Sequence, residues 1–250
     1  MSIKDQIKKM KSSSFFVNRA LFIVIQQVYL SVRFFTDASF RSSILTRLRS
    51  GQFYHQQVTF TLSNRYPLVF QACADYLTCI KNPQVLSFGC STGEEVFSIG
   101  SYIPGARILG VDINQWCLNQ CKKKNKNLSF SFCNRISDDF EQANGFDAIF
   151  CLAVFQRTEN RTNKDNFIAS GFRFEQFEKE ILVLDGKLKS GGLLIIDNVD
   201  FCFLDTVCAE YYAPLYTFEQ NQLVRKRPLF DRNNQKIAEI QNNFRVFVKL

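Results

Sequence analysis

The sequence predicts an α/β fold: a doubly wound, mostly parallel sheet over residues 85–250, preceded by a basic, mainly helical segment over residues 1–84. From residue 85 onward, short apolar runs typical of strands alternate with stretches of helical period, which indicates parallel β-α units. A glycine-containing turn follows the first predicted strand, as in sheets that bind nucleotides. With 46% hydrophobic residues in 250, the chain can also bury a sizeable core.

Charge is distributed unevenly along the chain. The formal net charge is +8, and residues 1–66 hold 10 Lys and Arg against two acids, Asp5 and Asp37, whereas residues 67–250 hold 21 of each sign. This asymmetry predicts an anionic partner for the N-terminal segment, either a membrane surface, a nucleic acid or an acidic protein. The alternative is a basic face that is simply solvated.

The most apolar part of the N-terminal segment runs from Phe15 to Phe35. Arg19, Gln26 and Arg33 recur in it every seven residues, which places them in one narrow stripe of a helix whose other faces are apolar. These polar residues, and the lack of a small-residue cleavage site after Val32, argue against a spanning helix or a signal peptide. The helix either packs on the core or lies in a membrane interface with its arginines among headgroups, and we expect packing. Four lysines precede it: Lys4, Lys8, Lys9 and Lys11.

Three further elements are predicted before the sheet. Residues 37–51 are basic and serine-rich and indicate a short helix with a loop. Residues 55–61 alternate weakly in polarity, as a strand does, and residues 67–80 have the pattern of a helix that leads into the first core strand.

The central motif is the stretch from Val85 to Glu95, Val-Leu-Ser-Phe-Gly-Cys-Ser-Thr-Gly-Glu-Glu. It predicts a buried strand that ends at Gly89 and a helix that begins near Glu94. Gly89 and Gly93 bracket the turn, where glycine permits positive φ and the close approach of a ligand to the backbone. Unpaired N–H groups at the start of the helix are then expected to face that ligand.

An acidic residue ends the second predicted strand, which runs from Ala106 to Val111. Asp112 follows directly, at the place where nucleotide-binding α/β folds hold ribose hydroxyls with a carboxylate. The dinucleotide fingerprint G-x-G-x-x-G is not met, because Ser91 and Glu94 stand where it needs glycine. Two carboxylates, Glu94 and Glu95, would also repel a pyrophosphate at the helix N-terminus, which argues against NAD.

These residues resemble the first motif of the class I methyltransferases, and the run Gly89 to Glu95 is especially similar to that of the chemotaxis receptor glutamate methyltransferases. The resemblance extends roughly from Val85 to Asp197. It implies S-adenosyl-L-methionine as cofactor, which has no phosphate and whose cationic sulfonium and amino groups tolerate acids at the turn. Asn134, after the third strand, is at the position that the family uses toward the adenine amino group. The implied cofactor-binding residues are Gly89, Cys90, Ser91, Gly93, Asp112, Ile113, Asn134 and Leu152.

The middle of the chain supplies the rest of the predicted sheet. A helix over residues 114–124 begins at Asn114 as its cap and ends in three lysines that suit the helix dipole. Residues 128–133 and 146–153 are the third and fourth strands, the latter apolar enough to be buried on both faces. The polar loop over residues 154–170 is at the carboxyl end of the fourth strand, where active-site loops lie, and its expected mouth is Gln156, Arg157 and Thr158.

The last third of the chain is expected to complete the sheet. Residues 174–188 have a helical period, and the turn Lys189 to Gly192 before the fifth strand, residues 193–196, resembles the corresponding turn of class I methyltransferases. Asp197, Asn198 and Asp200 then follow at the ligand edge. A helix over residues 202–212 and a closing pair of strands over residues 215–224 and 244–249 are predicted, with turn residues at 231–234.

Cysteine and histidine content narrows the chemistry. Nine cysteines, mostly within apolar runs, predict buried free thiols in a reducing cytoplasm. Cys117 and Cys121 have the spacing of two ligands on a helix, but no second pair or nearby histidine completes a zinc site, so no metal is expected. His55 is the only histidine, which leaves little for mechanisms that need several.

The predicted function is transfer of a methyl group from S-adenosylmethionine to an acceptor nucleophile that attacks in line. Proximity and orientation can supply most of the catalysis, and no catalytic acid or base stands out. The acceptor is unknown; a protein carboxylate or a small molecule is favoured, and a nucleic acid stays open, although residues 152–155 lack the Pro-Pro tetrapeptide of amino-methylating DNA enzymes. The alternative from another class is a non-catalytic binding or scaffold protein, including one at a membrane surface.

Overall fold

A seven-stranded sheet forms the centre of the computed structural model, which describes residues 16–56, 59–162, 166–169, 171–217, 230–237 and 244–250. The strand order is β3-β2-β1-β4-β5-β7-β6. The first five strands are parallel to one another, and β7 pairs antiparallel with both β5 and β6. The predicted fold class, an α/β doubly wound and mostly parallel sheet, is confirmed. The strands are β1 Gln84–Phe88, β2 Arg107–Asp112, β3 Phe130–Asn134, β4 Phe146–Leu152, β5 Leu188–Asp197, β6 Tyr212–Thr217 and β7 Phe244–Lys249.

Helices cover both faces of this sheet. Along β4, Ile149 and Cys151 belong to the core on one face, and Ala148 and Phe150 to the core on the other. Every residue of β4 is buried, as its apolar sequence predicts for a central parallel strand. The helices are α1 Phe16–Thr36, α2 Ala38–Arg49, α3 Pro67–Leu77, α4 Glu94–Tyr102, α5 Gln115–Lys124, α6 Asp138–Gln142, α7 Thr158–Thr162 and α8 Phe174–Lys187.

Local sequence sets several of these boundaries. Asn114 caps α5 by accepting hydrogen bonds from the backbone N–H groups of Trp116 and Cys117, as predicted. Asp37 caps α2 in the same way through the N–H of Phe40. Asp147 is buried at the start of β4, where it accepts from the Gln84 backbone N–H at 2.7 Å and pairs with Lys189 at 2.6 Å.

The prediction that the N-terminal apolar helix packs on the core is wrong. Helix α1 has no buried residue and meets the rest of the described chain mainly where it joins α2. Its sequence contains no Gly or Pro, which favours a helix. It does not pack on the core because other elements cover both faces of the sheet. Within the described ranges no single helix has the length and hydropathy to cross a bilayer; α1 and α2 together reach that length and composition, and they are bent by 100°.

Other differences are local. Residues 55–56 and 59–61 are irregular rather than a strand, because their polar groups bond to loops and not to a neighbouring strand. The turn predicted at Lys189 to Gly192 is drawn into a longer β5, with Gly191 at φ +74°. Two short 3-10 helices, Phe203–Asp205 and Val207–Tyr211, replace the predicted α-helix. Residues 218–224 of the predicted sixth strand lie outside the described residues.

Candidate functional site

A cavity of about 310 Å³ opens at the carboxyl ends of β1, β2 and β4. In a parallel sheet this is the edge where ligands bind, because the chain leaves adjacent strands in opposite directions there. The cavity wall opposite the sheet comes from the N-terminal segment. We call residues 53–56 and 59–62 the N-terminal wall.

The turn after β1 is held in shape by its own hydrogen bonds. The backbone N–H groups of Gly89 and Cys90 both donate to the Val111 carbonyl, at 2.7 and 2.9 Å, and that of Gly93 donates to the Cys90 carbonyl at 3.0 Å. These three N–H groups are therefore not available to a ligand, whereas a role for the N–H groups at the start of α4 stays a prediction. A turn whose donors are already used offers little to a pyrophosphate but suits an uncharged part of a ligand.

Gly89 is required by its surroundings as well as by its conformation. Its φ is +83°, and a Cβ at this position would lie 2.6 Å from Cγ2 of Val154, on the loop after β4. The missing side chain thus lets the turn meet that loop directly at the floor of the cavity. Ligand access and packing both depend on this glycine.

Asp112 ties the turn to the start of α5. One carboxylate oxygen accepts from the backbone N–H of Ser91 at 2.9 Å, and the other accepts from that of Asn114 at 2.8 Å. Burial raises the pKa of the Asp112 carboxyl, while these backbone hydrogen bonds oppose the shift. Each carboxylate oxygen can accept a second hydrogen bond, so Asp112 is chemically able to hold a pair of hydroxyl groups in the cavity.

The two adjacent acids of α4 differ in their partners and in the direction of their pKa shifts. Glu94 pairs with Lys124 at 2.6 Å and accepts from the Thr92 hydroxyl; burial opposes ionisation, but these hydrogen bonds lower the pKa of Glu94. Glu95 lines the cavity and accepts from the Ser87 hydroxyl at 2.7 Å, and burial raises its pKa to about 8. Near pH 7 the ligand-free site is therefore much less negative than it would be with two ionised glutamates. Charge repulsion is then a weak argument against NAD, and the stronger one is that N–H groups of the turn are already bonded.

The N-terminal wall is fastened to both sides of the sheet edge. The Gln56 amide donates to the Ala153 carbonyl at 3.0 Å, and the Ser91 hydroxyl donates to the Thr59 carbonyl at 2.6 Å. Arg157, from the loop after β4, donates to the Tyr54 and His55 carbonyls. The wall is therefore part of the site, although its sequence carries no recognisable motif.

His55 is buried in an aromatic environment rather than exposed for proton transfer. Its ring lies 4.9 Å from that of Phe172 and 5.7 Å from that of Phe155, and its Nε2 has no hydrogen-bond partner among the described residues. Burial, and then the nearby Arg157 and Arg135, lower the pKa of His55 to about 3. The imidazole is therefore neutral at physiological pH, which removes it as a general acid.

A buried ion pair supports the wall of the cavity beyond β3. Arg135 lines the cavity and pairs with Glu180 of α8, with Nε–Oε2 and Nη2–Oε1 distances of 3.1 and 3.3 Å. Both side chains are more than nine-tenths buried. The Arg135 guanidinium also lies over the rings of Phe53 and Phe140, so it joins the N-terminal wall to the core.

The cysteines near the turn are unreactive by environment. The pKa of Cys90 is raised well above its usual value by its hydrogen bond with Cys121 and by burial. Cys121 in turn contacts the Ser91 carbonyl at 3.1 Å. All nine cysteines of the chain are free, and seven of them are buried. Cys90, which lines the cavity, thus lacks the lowered pKa of a nucleophilic thiol.

Six of the eight predicted cofactor-binding residues line this cavity, and two do not. The Asn134 amide donates to the Ile113 carbonyl at 3.2 Å and accepts from the Ile136 backbone N–H, so it braces the end of β2. Gly93 is the left-handed cap of α4 and faces Phe97 and Cys121. The roles of all eight toward a cofactor stay predictions. Lining the cavity are Gly89, Cys90, Ser91, Asp112, Ile113 and Leu152.

The loop expected to form the mouth of the site is present at the cavity. Gln156 and Thr158 line it, and Arg157 fastens the N-terminal wall beside them. Asp200 is buried behind the loop, where it accepts from the Arg157 backbone N–H at 2.7 Å. Arg65 also lines the cavity, and the only sign of it in the sequence is the basic character of the N-terminal segment. Among the residues of the cavity wall that sequence reasoning missed are Tyr54, Phe60, Arg65 and Arg135.

Comparison with known families agrees with this geometry. Residues 86–169 match the family model described as "Methyltransferase domain". The matched segment, about a third of the chain, is similar to that family. It contains the turn after β1, Asp112 and the end of β4, which together form the floor of the cavity. The domain match supports the predicted cofactor, S-adenosyl-L-methionine.

Individual relatives are more distant. A protein of Methanocaldococcus jannaschii described as "Putative protein N5-glutamine methyltransferase" is 33% identical over 129 residues, which are 48% of this chain and 64% of the relative. Among solved structures, the plantazolicin methyltransferase BpumL in complex with a monoazolic desmethylPZN analog and SAH is 20% identical, with a TM-score of 0.37, over 78% of this chain and 61% of that one. PKMT2 from Rickettsia typhi with AdoHcy is 22% identical, with a TM-score of 0.39, over 55% and 25%. The chain thus spans less than two thirds of each relative, and similarity at this level identifies neither an acceptor nor a binding residue.

Proposed function

We propose that this protein is an S-adenosylmethionine-dependent methyltransferase that acts on a small molecule with an apolar or aromatic part. The observation that carries the proposal is the cavity at the carboxyl edge of the sheet. Its floor lies in the segment that matches the methyltransferase family model, and it combines a buried carboxylate, Asp112, with a turn in which the backbone N–H groups of Gly89, Cys90 and Ser91 are already bonded. That combination suits a cofactor with ribose hydroxyls and no phosphate.

The residues present fit this cofactor in charge and in hydrogen-bonding capacity. Asp112 has acceptor capacity for the two ribose hydroxyls, and the floor formed by Gly89 allows close approach to the backbone. Glu95 lines the same cavity, and burial keeps its pKa raised in the ligand-free protein. A cationic ligand beside Glu95 would favour the ionised carboxylate, which makes this side chain a suitable partner for a sulfonium or ammonium group.

When bound, S-adenosylmethionine supplies an electrophilic methyl group for direct transfer to a nucleophile. The chain's own contribution is to hold the reactants in line and to exclude water. The N-terminal wall does this by closing the cavity over the sheet edge through Gln56 and Arg157. Neither His55, whose pKa is lowered to about 3, nor Asp112, which is bonded to the backbone, has the features of a general base near pH 7, and Glu95 is assigned to the cationic group of the cofactor.

The character of the cavity wall is the reason to favour a small acceptor. Beside the cofactor floor, the wall is largely aromatic, and its backbone passes across the opening. An enclosed aromatic cavity gains binding energy from an apolar ligand that enters it whole. The aromatic residues that line it are Phe53, Tyr54, Phe60, Tyr66 and Phe70.

A protein side chain is the second candidate acceptor. Two observations favour it: the similarity of the run Gly89 to Glu95 to the motif of chemotaxis receptor glutamate methyltransferases, and the relative described as acting on protein N5-glutamine. Arg65 at the cavity, whose guanidinium lies over the Tyr66 ring, would attract an acceptor carboxylate. The nine free cysteines support a reducing compartment such as the cytoplasm for either activity.

The test is transfer of label from methyl-tritiated S-adenosylmethionine to a lysate of the source organism, separated into ultrafiltered small molecules, protein and nucleic acid. We expect label in the small-molecule fraction. Label in protein that base treatment releases as methanol would instead identify a carboxylate acceptor, and base-stable label in protein an amide or amine. At cofactor concentrations below saturation, Asp112→Ala should reduce labelling about 10- to 100-fold. Asp75→Ala, which replaces a surface acid on α3, is the matched control.

The non-catalytic alternative predicts a different result from the same experiment. A scaffold that keeps the fold would bind the cofactor but transfer no label to any fraction. Equilibrium binding measured beside the labelling assay separates this outcome from a protein that fails to bind the cofactor.

A further inference from the structure

Helix α1 presents a continuous apolar face that the rest of the described chain does not cover. None of its 21 residues is buried. The side chains of this face are between 48% and 77% exposed: Val17, Leu21, Val24, Val28, Val32 and Phe35. Because exposed apolar area of this size is unfavourable in water, it indicates a surface that meets a partner.

The charged residues of α1 lie on the side of the helix opposite this face. At 3.6 residues per turn, its six side chains fall within an arc of about 80°. Arg19, Gln26 and Arg33 recur every seven residues and occupy the opposite side. Such a division gives a helix that lies along a boundary between an apolar and a polar phase.

The charge around the face has one sign. Residues 16–36 contain two arginines and no acid, and residues 1–66 together hold 10 Lys and Arg against two Asp. Of those two acids, Asp37 is already paired with Arg33 at 3.2 Å. A partner that fits must therefore be both apolar and anionic. An acidic bilayer surface has both properties, whereas a nucleic acid offers charge without a continuous apolar phase.

We propose that α1 lies in the interface of an anionic lipid bilayer, with its apolar face among the acyl chains and its arginine side among the headgroups. Cationic side chains beside an apolar helix face bind such surfaces by combining burial with electrostatic attraction. The basic stretch before α1, with Lys4, Lys8, Lys9 and Lys11, adds to that attraction.

The contacts at the end of α1 connect this surface to the cavity. The Arg41 guanidinium of α2 donates to the carbonyls of Phe34 and Phe35, both at 3.1 Å, and so fixes the bend between the helices. From α2, the Ser42 hydroxyl donates to the side chain of Asn114 at 2.6 Å, two residues beyond Asp112. A bilayer-bound α1 thus holds the candidate active site close to the membrane surface.

Flotation of the full-length protein with vesicles tests this inference. Vesicles of phosphatidylcholine alone are compared with vesicles that also contain phosphatidylglycerol, at low and at high salt. Val28→Asp places a charge in the apolar face, and Gln26→Asp places the same charge on the opposite side of the same helix. Circular dichroism and the unfolding midpoint verify that both variants keep the fold.

We expect binding to the phosphatidylglycerol vesicles that weakens with salt, and much weaker binding to phosphatidylcholine. Val28→Asp should reduce the partition coefficient at least about tenfold more than Gln26→Asp does, since both add one negative charge but only one buries it in acyl chains. Equal losses in the two variants would overturn the proposal, as would equal binding to both vesicle types. Absence of vesicle binding, together with self-association that Val28→Asp abolishes, would assign the face to a second copy of the chain instead.

Discussion

The close approach between Gly89 and Val154 gives a prediction whose magnitude follows from the structure. In Gly89→Ala the new Cβ meets Cγ2 and Cβ of Val154 at 2.6 and 2.8 Å, well inside van der Waals contact. The overlap costs about 1 to 3 kcal/mol as overpacking. A left-handed φ of +83° at a residue with a Cβ costs about 1 to 2 kcal/mol more. We therefore expect the free energy of unfolding to fall by about 2 to 5 kcal/mol.

A double-mutant cycle separates the two terms. Val154→Ala removes the methyl groups that the new Cβ of Gly89→Ala would strike, at a cost of its own of about 1 to 2 kcal/mol. In the double variant the contact with Cγ2 is gone and only that with the Cβ of residue 154 remains, so its destabilisation should fall short of the sum of the two single variants by about 1 to 2 kcal/mol. Urea unfolding followed by circular dichroism measures all four proteins. Strict additivity, or a Gly89→Ala protein as stable as the wild type, would refute the proposed contact between the turn and the loop after β4.

Two further predictions concern buried charge. Because the folded-state pKa of Glu95 is about 8 against 4.5 for the ordinary group, the folded protein binds the extra proton, and stability is lost as pH rises from about 4.5 to 8. Between about pH 5 and pH 8, the free energy of unfolding of Glu95→Gln should decline by about 1 to 3 kcal/mol less than that of the wild type, as urea titrations would measure. Parallel pH profiles of the two proteins would count against a buried, protonated Glu95. Glu180→Ala should lower the free energy of unfolding by about 3 to 5 kcal/mol, because it leaves Arg135 buried without its partner. Replacing both residues, as Arg135→Met with Glu180→Leu, should restore most of the loss, and a double variant as unstable as Glu180→Ala would contradict this explanation.

Much of the sheet is predictable from sequence because its signals are local. The apolar run of β4, the glycines of the turn and Asn114 as a helix cap each depend on a few neighbouring residues. Together with the resemblance to class I methyltransferases, these local signals named six residues that line the cavity. In a parallel sheet the carboxyl ends of the strands converge, so consecutive motifs predict a common site.

What the sequence did not reveal depends on long-range contacts. The N-terminal wall has no regular element, and its position follows from hydrogen bonds of Gln56, Ser91 and Arg157 across 32 to 103 residues. Asn134 ends β3 at the position expected for a contact with adenine, but its amide donates to the Ile113 carbonyl instead. Helix α1 shows what periodicity cannot predict. An apolar stripe indicates that the helix face needs a partner, but it does not identify that partner.

Isothermal titration with S-adenosylhomocysteine tests the central claim most directly, because the demethylated product binds without turnover. We expect the wild type and Asp75→Ala to bind with the same affinity, no comparable binding of NAD, and a loss of about 10- to 100-fold in Asp112→Ala, corresponding to one or two hydrogen bonds to a charged acceptor. Wild-type protein that does not bind S-adenosylhomocysteine, or an Asp112→Ala variant that keeps the wild-type fold and full affinity, would contradict a cofactor site at this cavity.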